Sequence, residues 1–327
     1  MKNYKNIRVG VFCGGVSSER DISLLTGEQV VKALVSKGYI VYIICIESDG
    51  RWIISLDTSG EKEIFVEKIS EYIDVAFLAL HGKYGEDGTI QRILDEHNII
   101  YTGSGSEASA LGMNKEECSQ KISLHGIRTP KTIIYEGNIE IVKEKIYDSI
   151  GFPCIIKPNA SGSSVGITLV KKESELEISI RKAEKEDEKI LIQEYIRGRE
   201  FSCGVLGNRE FEKFALPVVE ICPKNHEFFD YEAKYQKDET DEICPARIEE
   251  SISNEIQYLA KKVHELLGCD GLTRSDFIVD SSENIFFLEI NTIPGQTQTS
   301  LCPKEASALG WSFSDFIVKQ INLALKK

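Results

Sequence analysis

The chain has 327 residues, more than a single hydrophobic core usually fills, so we expect two or three lobes. Hydrophobic residues make up 42%, and no apolar run approaches the ~20 residues that a membrane helix needs, so we expect no contact with a membrane. The net charge of −13 argues against nucleic acid as a partner, although one local basic cleft could still bind a nucleotide.

The cysteines and the N-terminal residues indicate the cellular compartment in which the protein is expected. Nine cysteines are scattered along the chain without a Cys-x-x-Cys motif, a pattern that favours reduced thiols over a disulfide framework or a zinc site. The first residues, Met1 to Gly15, lack the apolar core and the cleavage site of a signal peptide. We therefore expect a cytoplasmic protein in which most cysteines act as small buried hydrophobic residues.

The first third of the chain alternates short apolar runs with a helical pattern. Ile7–Cys13, Tyr39–Cys45 and Val75–Ala79 have the length of strands, and Ser23–Lys37 has the apolar spacing of a helix. Short strands separated by helices favour a parallel sheet that is covered on both faces. Gly14-Gly15 follows the first strand and should lie at the carboxyl edge, where open sheets bind ligands.

Beyond residue 104 the pattern becomes mixed, so the fold class is α/β with α+β lobes. Helices are predicted from about Ser106 and over Lys115–His125, Glu173–Lys185 and Ile252–Leu267. The predicted strands are Cys154–Lys157, Ile167–Lys171, Ile190–Tyr195, Phe201–Leu206, Phe214–Ile221, Thr273–Val279 and Ile285–Asn291. We place lobe boundaries near residues 104 and 194, which divides the chain into 1–104, 105–194 and 195–327.

Acidic and amide side chains lie on the last two predicted strands. Glu289 and Asn291 are two residues apart and share a strand face, and a hairpin that turns near residue 282 places Asp276 opposite Glu289. Hard oxygen ligands of this kind suit Mg²⁺. The alternative is a solvated hairpin with scattered acids, but the apolar residues Phe286–Leu288 favour a partly buried hairpin and therefore a metal site.

Three loops have the composition of ligand-binding segments. In Lys157–Gly166, a lysine at a strand end precedes a Gly/Ser loop whose backbone N–H groups could approach phosphate, although the segment is not a Walker A motif. A flexible linker is the alternative, which the short flanking strands disfavour. His81–Gly88 follows an apolar strand. A functional role for His81 and a purely structural one are equally compatible with this pattern. Asn291–Ser300 continues from the proposed metal site and is suited to hold a substrate.

Together these segments resemble the D-alanine–D-alanine ligases of the ATP-grasp superfamily over nearly the whole chain. The fragments that carry the resemblance are Gly14-Gly15, Ser18–Ser23, His81–Gly88, Tyr101–Gly105, Met113–Lys115, Lys157–Gly166, Gly198–Glu200, Tyr231–Tyr235 and Arg274–Ser300. Each fragment is weak alone, but their order and spacing are specific. The resemblance implies an ATP-grasp fold of three lobes, with the parallel sheet in the N-terminal lobe and ATP between the other two.

The resemblance also implies which residues bind ATP and metal. ATP would contact Lys115, Lys157, Ser164, Gln193, Glu194, Ile196 and Glu200. Two Mg²⁺ ions, for which Mn²⁺ can substitute, would be held by Asp276, Glu289 and Asn291.

The resemblance further implies the residues that act on D-alanine. Glu19 would pair with the ammonium group of the first D-alanine near His81. Lys234 and Ser300 would receive the carboxylate of the second. The catalytic set is completed by Ser163 and Tyr235, which would link Glu19 to a mobile loop, and by Arg274 and the Gly295 N–H, which would stabilise the oxyanion.

The implied reaction joins two D-alanine molecules through an acyl phosphate, for the synthesis of peptidoglycan precursors. Mg²⁺ and lysines would neutralise the transferring phosphoryl group, and Arg274 could stabilise the tetrahedral oxyanion. The polar stretch Lys224–Asp241 has the length of a lid that would exclude water from the acyl phosphate. A homodimer is the family expectation.

Several positions depart from the usual pattern of the family. Gln193 stands where many members have glutamate, and this difference affects the expected contact with adenine. Gln296 and Gln298 replace the residues that commonly precede Ser300, and they bear on the choice of the second substrate.

Three alternatives remain at this stage. A sibling ligase would join D-alanine to D-serine or D-lactate, but Tyr231–Tyr235 is of the D-alanine type. A dinucleotide-dependent oxidoreductase would need a Gly-x-Gly-x-x-Gly turn, and Gly14-Gly15 lacks that spacing. A non-catalytic nucleotide-binding module would keep the phosphate loop but would lose Arg274 or the acidic residues of the predicted metal site. This sequence has Arg274 and those acidic residues.

Overall fold

The computed structural model describes residues 7–56, 60–162, 165–224 and 240–327. Ser163, Ser164, Lys234 and Tyr235 therefore lie outside the described residues, as does most of the proposed lid. None of the helices in the described ranges has the length and apolar character that crossing a membrane requires.

The first sheet is parallel at its centre, as the apolar runs predict. Its elements are β1 (Arg8–Gly14), α1 (Arg20–Ser36), β2 (Ile40–Ile46), β3 (Trp52–Leu56), β4 (Gly60–Glu63), β5 (Val75–Leu78) and α2 (Thr89–Glu96). The strand order is β4-β3-β2-β1-β5, with β1 parallel to β2 and β5. The antiparallel strands β3 and β4 were not predicted. Of these two, β4 is the edge strand, and it is short, polar and exposed, as sheet edges often are.

The second sheet is antiparallel; two helices precede it along the chain, and two more connect its strands. The elements are α3 (Ser106–Met113), α4 (Lys115–Leu124), β6 (Thr132–Tyr135), α5 (Ile139–Ser149), β7 (Cys154–Pro158), β8 (Thr168–Val170), α6 (Leu176–Ala183) and β9 (Ile190–Glu194). The strand order is β6-β9-β7-β8. The predicted helix Glu173–Lys185 is wrong at its start, because Glu173–Glu175 form a 3₁₀ turn before α6.

The third sheet is antiparallel and carries the acidic hairpin. Its elements are β10 (Gly198–Gly207), β11 (Phe214–Ala215), β12 (Val219–Pro223), β13 (Thr240–Ile243), α7 (Glu250–Leu266), β14 (Gly271–Asp280), β15 (Ile285–Asn291), α8 (Leu301–Ala308) and α9 (Phe313–Ala324). The order is β13-β12-β10-β14-β15, with β11 also paired to β10. The single strand predicted over Phe214–Ile221 is wrong, because the segment splits into β11 and β12 around Pro217, which has no N–H to donate.

Two hydrophobic cores join parts of the chain that are distant in sequence. Phe316 and Ile321 of the C-terminal helix α9 pack into the same core as Val11 and Phe77 of the first sheet. Helices α3 and α4 pack against β15, and Ile122 shares a core with Phe277 of the third sheet. The first and third sheets are therefore held together, and the loops at their facing ends converge on one cleft.

Candidate active site

A cleft of about 400 Å³ lies where loops of all three sheets meet. Its wall includes eight residues that the sequence predicted for the site: Glu19, His81, Lys115, Arg274, Glu289, Asn291, Gly295 and Ser300. These residues come from four separate stretches of the chain, so the cleft forms only when the lobes pack together.

The β14–β15 hairpin has the register that the sequence predicts. Asp276 is the partner of Glu289, and Arg274 is the partner of Asn291. A shift in register follows Asp276, as in a β-bulge, which commonly re-aims side chains next to active sites. In the described ranges, no group of three or more His, Cys, Asp or Glu side chains is arranged around a metal position. The metal site that the sequence predicts combines the two carboxylates Asp276 and Glu289 with the amide oxygen of Asn291.

Arg274 and Asp276 form a two-pronged ion pair beside the cleft. The Nε of Arg274 donates to Asp276 Oδ1 at 3.0 Å, and its Nη2 donates to Oδ2 at 2.8 Å. Ser202 on the neighbouring strand β10 also donates to Asp276 Oδ1. A buried carboxylate must be paired in this way, and the pairing fixes the orientation of a guanidinium group in the cleft wall.

Two lysines bring positive charge to the acidic hairpin. Lys115 Nζ lies 3.6 Å from Glu289 Oε2 and donates to the carbonyl oxygen of Ser161 at 2.6 Å. Lys157, at the end of β7, is only 6% exposed. The pKa of Lys157 is lowered to about 8, chiefly by burial; the charge of Glu289 opposes this shift, and that of Lys115 adds to it. The result is a buried ammonium group that titrates close to neutral pH.

Glu19 lies between two glycines from different lobes. A Cβ added at Gly82 would lie 2.5 Å from Glu19 Oε2, and one added at Gly162 would lie 2.9 Å from the same oxygen. A side chain at either position would therefore displace this carboxylate. The lysine-bearing loop of the central sheet thus reaches across the cleft to the first sheet.

His81 and Glu86 lie at the floor of the cleft, and Glu86 was not predicted as a site residue. The two ring nitrogens of His81 contact Thr26 Oγ1 at 3.1 Å and the carbonyl oxygen of Ile293 at 3.2 Å. Burial lowers the pKa of His81, and the charge of Glu19 partly opposes this shift. Glu86 accepts from the backbone N–H of Gly82 at 2.7 Å, and burial raises its pKa, as does Glu19.

The segment after β15 turns back on itself at the cleft. A Cβ added at Gly295 would lie 3.0 Å from Ser300 Oγ, which also accepts from the Thr297 N–H at 3.1 Å. Gln296 is buried, and its side chain accepts from Gln320 of α9 at 2.6 Å. The exposed Gln298 is held through its backbone N–H. Neither glutamine belongs to the cleft wall formed by the described residues.

A further ion pair at the cleft was not predicted. Glu242 of β13 lines the cleft, and its carboxylate forms an ion pair with Lys304 of α8. Nothing in the sequence indicated that Glu242, the residue after the polar stretch Lys224–Asp241, would face inward. The pair connects the strand that follows residues 225–239 to the helix that begins after Ser300.

The residues predicted to bind adenine and ribose lie on a different segment. Gln193 and Glu194 end β9, Ile196 lies in the connection to β10, and Glu200 lies near the start of β10. These four are absent from the described wall of the cleft. The Nε2 of Gln193 donates to Thr132 Oγ1 at 3.1 Å, so this side chain stabilises the central sheet.

Comparisons with known proteins agree with the fold. The family described as D-ala D-ala ligase N-terminus matches residues 8–104, and the family described as D-ala D-ala ligase C-terminus matches residues 130–322. A D-alanine–D-alanine ligase from Pelotomaculum thermopropionicum is 41% identical, with 98% of this chain and 97% of the relative covered. One from Carboxydothermus hydrogenoformans is 39% identical, with 98% and 99% covered.

Solved structures show the same likeness. The VanG D-Ala:D-Ser ligase from Enterococcus faecalis superposes with a TM-score of 0.87 at 32% identity, over 98% of this chain and 99% of its own. A D-alanine–D-alanine ligase from Bacillus anthracis, solved in complex with ATP, has a TM-score of 0.79 at 29% identity, with 98% of each chain covered. The chain belongs to the D-alanine–D-alanine ligase family and has its ATP-grasp fold.

Proposed function

We propose that this chain joins two D-alanine molecules into D-alanyl-D-alanine and converts ATP to ADP and phosphate. The observation that carries the proposal is the cleft itself, which joins Glu19 of the first lobe to Lys115 and to Arg274 and Glu289 of the hairpin. D-Serine as the second substrate is not favoured, because relatives at 41% and 39% identity are named D-alanine–D-alanine ligases, whereas the D-Ala:D-Ser ligase is 32% identical.

The ATP phosphates would lie between the lysines and the hairpin. Lys115 and Lys157 supply positive charge, and the small residues of the loop that includes Ser164 allow backbone N–H groups to approach. The adenine would bind the backbone of Gln193–Ile196, with Glu200 on the ribose. These roles fit a ligand held between the second and third sheets.

The hairpin has the donor set that Mg²⁺ prefers. Asp276, Glu289 and Asn291 offer oxygen atoms on two paired strands, and we assign them to two Mg²⁺ ions, with Mn²⁺ as a substitute. Bound there, the metal would neutralise charge on the phosphates during transfer. Lys115, 3.6 Å from Glu289, holds that carboxylate in place.

The first D-alanine would bind with its ammonium group on Glu19 and its carboxylate towards the phosphates. A carboxylate oxygen attacks the γ-phosphorus, ADP leaves, and an acyl phosphate forms. The amine of the second D-alanine, oriented by Ser300 and Lys234, then attacks the acyl carbon. Arg274 and the Gly295 N–H donate to the oxyanion before phosphate leaves.

The remaining elements of the proposal concern the lid, the lobes and the assembly. Ser163 and Tyr235 would connect Glu19 to the lid over Lys224–Asp241, which keeps water from the acyl phosphate. In this proposal the chain is divided into a substrate lobe over 1–104 and two ATP-grasp lobes over 105–194 and 195–327. All nine cysteines are free thiols, which supports a cytoplasmic location. A homodimer stays a prediction that light scattering would test.

Phosphate release tests the proposed function. With ATP, Mg²⁺ and D-alanine, phosphate and D-alanyl-D-alanine should appear in equal amounts. ATP alone, or ATP with L-alanine, should release almost none. Phosphate release that does not depend on D-alanine would point to an ATPase or to a nucleotide-binding module instead.

A first prediction follows from the lowered pKa of Lys157. Because that pKa is about 8, part of the Lys157 population is neutral at about pH 8.5. ATP phosphates favour the charged ammonium, so ATP binding should take up protons at this pH and fewer at pH 7, where Lys157 is already mostly protonated. Calorimetry in buffers of different ionisation enthalpy measures this uptake. Lys157→Arg should remove it, since arginine stays charged. Equal uptake in the two proteins would contradict the assignment.

A second prediction concerns Tyr235 and the choice of acceptor. The wild type should strongly prefer D-alanine over D-lactate, because a neutral tyrosine adds no charge that attracts an anionic hydroxy acid. Tyr235→His should raise depsipeptide relative to dipeptide, most at low pH, where the histidine is protonated. Chromatography of the products from about pH 6 to 9, with both acceptors present, measures the ratio.

Tyr258→His, which changes an exposed tyrosine of α7, serves as the control and should leave that ratio unchanged. A wild type that makes mostly depsipeptide at neutral pH would refute the assigned specificity. An unchanged ratio in Tyr235→His would show that other residues select the acceptor.

A further inference from the structure

Two cysteines face each other beside the loop that carries Glu19. Cys13 of β1 and Cys45 of β2 are register partners on neighbouring parallel strands. Neighbouring strands lie ~4.8 Å apart, within the range of about 4.4–6.8 Å between Cα atoms that a disulfide spans. Cys13 is buried against α1, where a Cβ added at Gly27 would lie 2.7 Å from the Cβ of Cys13. Cys45 is only half-buried, so an oxidant can reach it.

The surroundings of Cys45 favour its reactive, ionised form. The Nη2 of Arg20 lies 3.7 Å from Cys45 Sγ, and the same nitrogen donates to Glu47 at 2.9 Å. The pKa of Cys45 is lowered to about 7, chiefly by a hydrogen bond from the Cys13 thiol; Arg20 adds to this shift, whereas burial and Glu47 oppose it. A thiolate that is accessible and paired with a buried second thiol is the usual arrangement of an oxidant-sensitive dithiol.

We propose that Cys13 and Cys45 form an oxidant-sensitive modification site, which closes into a reversible disulfide and weakens binding of the first substrate. In the first step, the Cys45 thiolate attacks hydrogen peroxide, which gives a sulfenic acid and, after protonation, one water. The Cys13 thiol then attacks the sulfenic sulfur, so that the S–S bond forms and a second water leaves. Two thiols are oxidised and one peroxide is reduced. A dithiol reductant reverses the change by exchange.

The link to the substrate runs through Arg20, the residue after Glu19. Its Nη1 donates to the Gly15 carbonyl oxygen at 3.2 Å and also to that of Ile46. The corner is tightly packed, since a Cβ added at Gly14 would lie 2.7 Å from this Nη1 and 3.2 Å from Cys45 Sγ. When Cys45 bonds to Cys13, Arg20 loses a thiolate neighbour and the turn must shift. Glu19, which begins the same helix, shifts with it.

The expected functional effect rests on the proposed function, in which Glu19 binds the first D-alanine. Because small displacements of a binding group have large effects, the KM for D-alanine should rise on the order of tenfold on oxidation. The kcat at saturating D-alanine should change less. Reduction with dithiothreitol should restore the original KM.

The experiment treats the full-length enzyme with hydrogen peroxide and follows two readouts. Peptide mapping by mass spectrometry detects a Cys13–Cys45 link, and initial rates give the KM. Cys45→Ala should abolish both the link and the rise in KM, and Cys13→Ala should abolish the link. The matched control is Cys222→Ala. Cys222 is also half-buried with an arginine nitrogen at 3.7 Å, but its register partner is Asp241, so this variant should behave as the wild type does.

The two readouts separate the possible failures. Oxidation of Cys45 without a link to Cys13 would overturn the proposal. A link that leaves the KM unchanged would overturn the coupling to the substrate loop. If the chain does not ligate D-alanine, the proposed function fails, but the peptide map still decides whether the disulfide forms.

Discussion

Replacing Arg274 with alanine should lower kcat by about 100-fold or more and should change ATP affinity little, as expected when an oxyanion donor is lost. Arg274 lines the cleft and is oriented by two hydrogen bonds to Asp276. Its charge is therefore in place before the oxyanion forms, which makes its contribution largest in the transition state. Initial rates at saturating substrates and ATP binding by calorimetry measure the two quantities.

Two further variants isolate the role of Arg274. Arg274→Lys keeps the charge but loses the forked geometry, so it should recover only a small part of the rate. Arg209→Ala removes another arginine that pairs with an aspartate, at 3.2 Å from Asp270 and outside the described wall of the cleft. That control should keep nearly the full rate. If Arg274→Ala acts mainly on ATP binding, the assigned role is wrong.

Glu289→Gln should remove most activity while the fold stays intact. The substitution keeps the shape of the side chain but removes the charge that would hold Mg²⁺ and that pairs with Lys115 at 3.6 Å. Metal stabilisation of a transition state amounts to several kcal/mol, which corresponds to a loss of ~100-fold or more. Turnover is measured over a Mg²⁺ titration, with circular dichroism as the check on folding.

Glu283→Gln is the matched control for Glu289. It changes an exposed acid in the turn of the same hairpin and should leave the Mg²⁺ dependence unaltered. Wild-type turnover of Glu289→Gln at limiting Mg²⁺ would remove Glu289 from the metal site.

Local pattern predicted the parts of the fold that depend on neighbouring residues. The three parallel strands of the first sheet and the pairing of Asp276 with Glu289 are confirmed, because apolar run length and the two-residue period of a strand are local properties. The strand predicted over Phe214–Ile221 was wrong, because its apolar composition concealed the break at Pro217.

Long-range packing determined what the sequence could not predict. Glu86 turns inward because its carboxylate accepts from the Gly82 and Ile293 N–H groups, and Ile293 is more than 200 residues away. Gln296 turns away from the cleft because Gln320 of α9 packs beside it. Neither Ile293 nor Gln320 can be inferred as a partner from local pattern. The positions of Glu86 and Gln296 relative to the cleft therefore appear only in the folded chain.

Transfer of oxygen from D-alanine to phosphate tests the central claim, that ATP activates the carboxylate of the first D-alanine. D-Alanine labelled with ¹⁸O in both carboxylate oxygens would be incubated with the enzyme, ATP and Mg²⁺, and the released phosphate analysed by mass spectrometry. If an acyl phosphate forms, each dipeptide made leaves one labelled oxygen in the phosphate. Dipeptide formation with unlabelled phosphate would contradict the account, because the bond between carboxylate oxygen and phosphorus would never have formed.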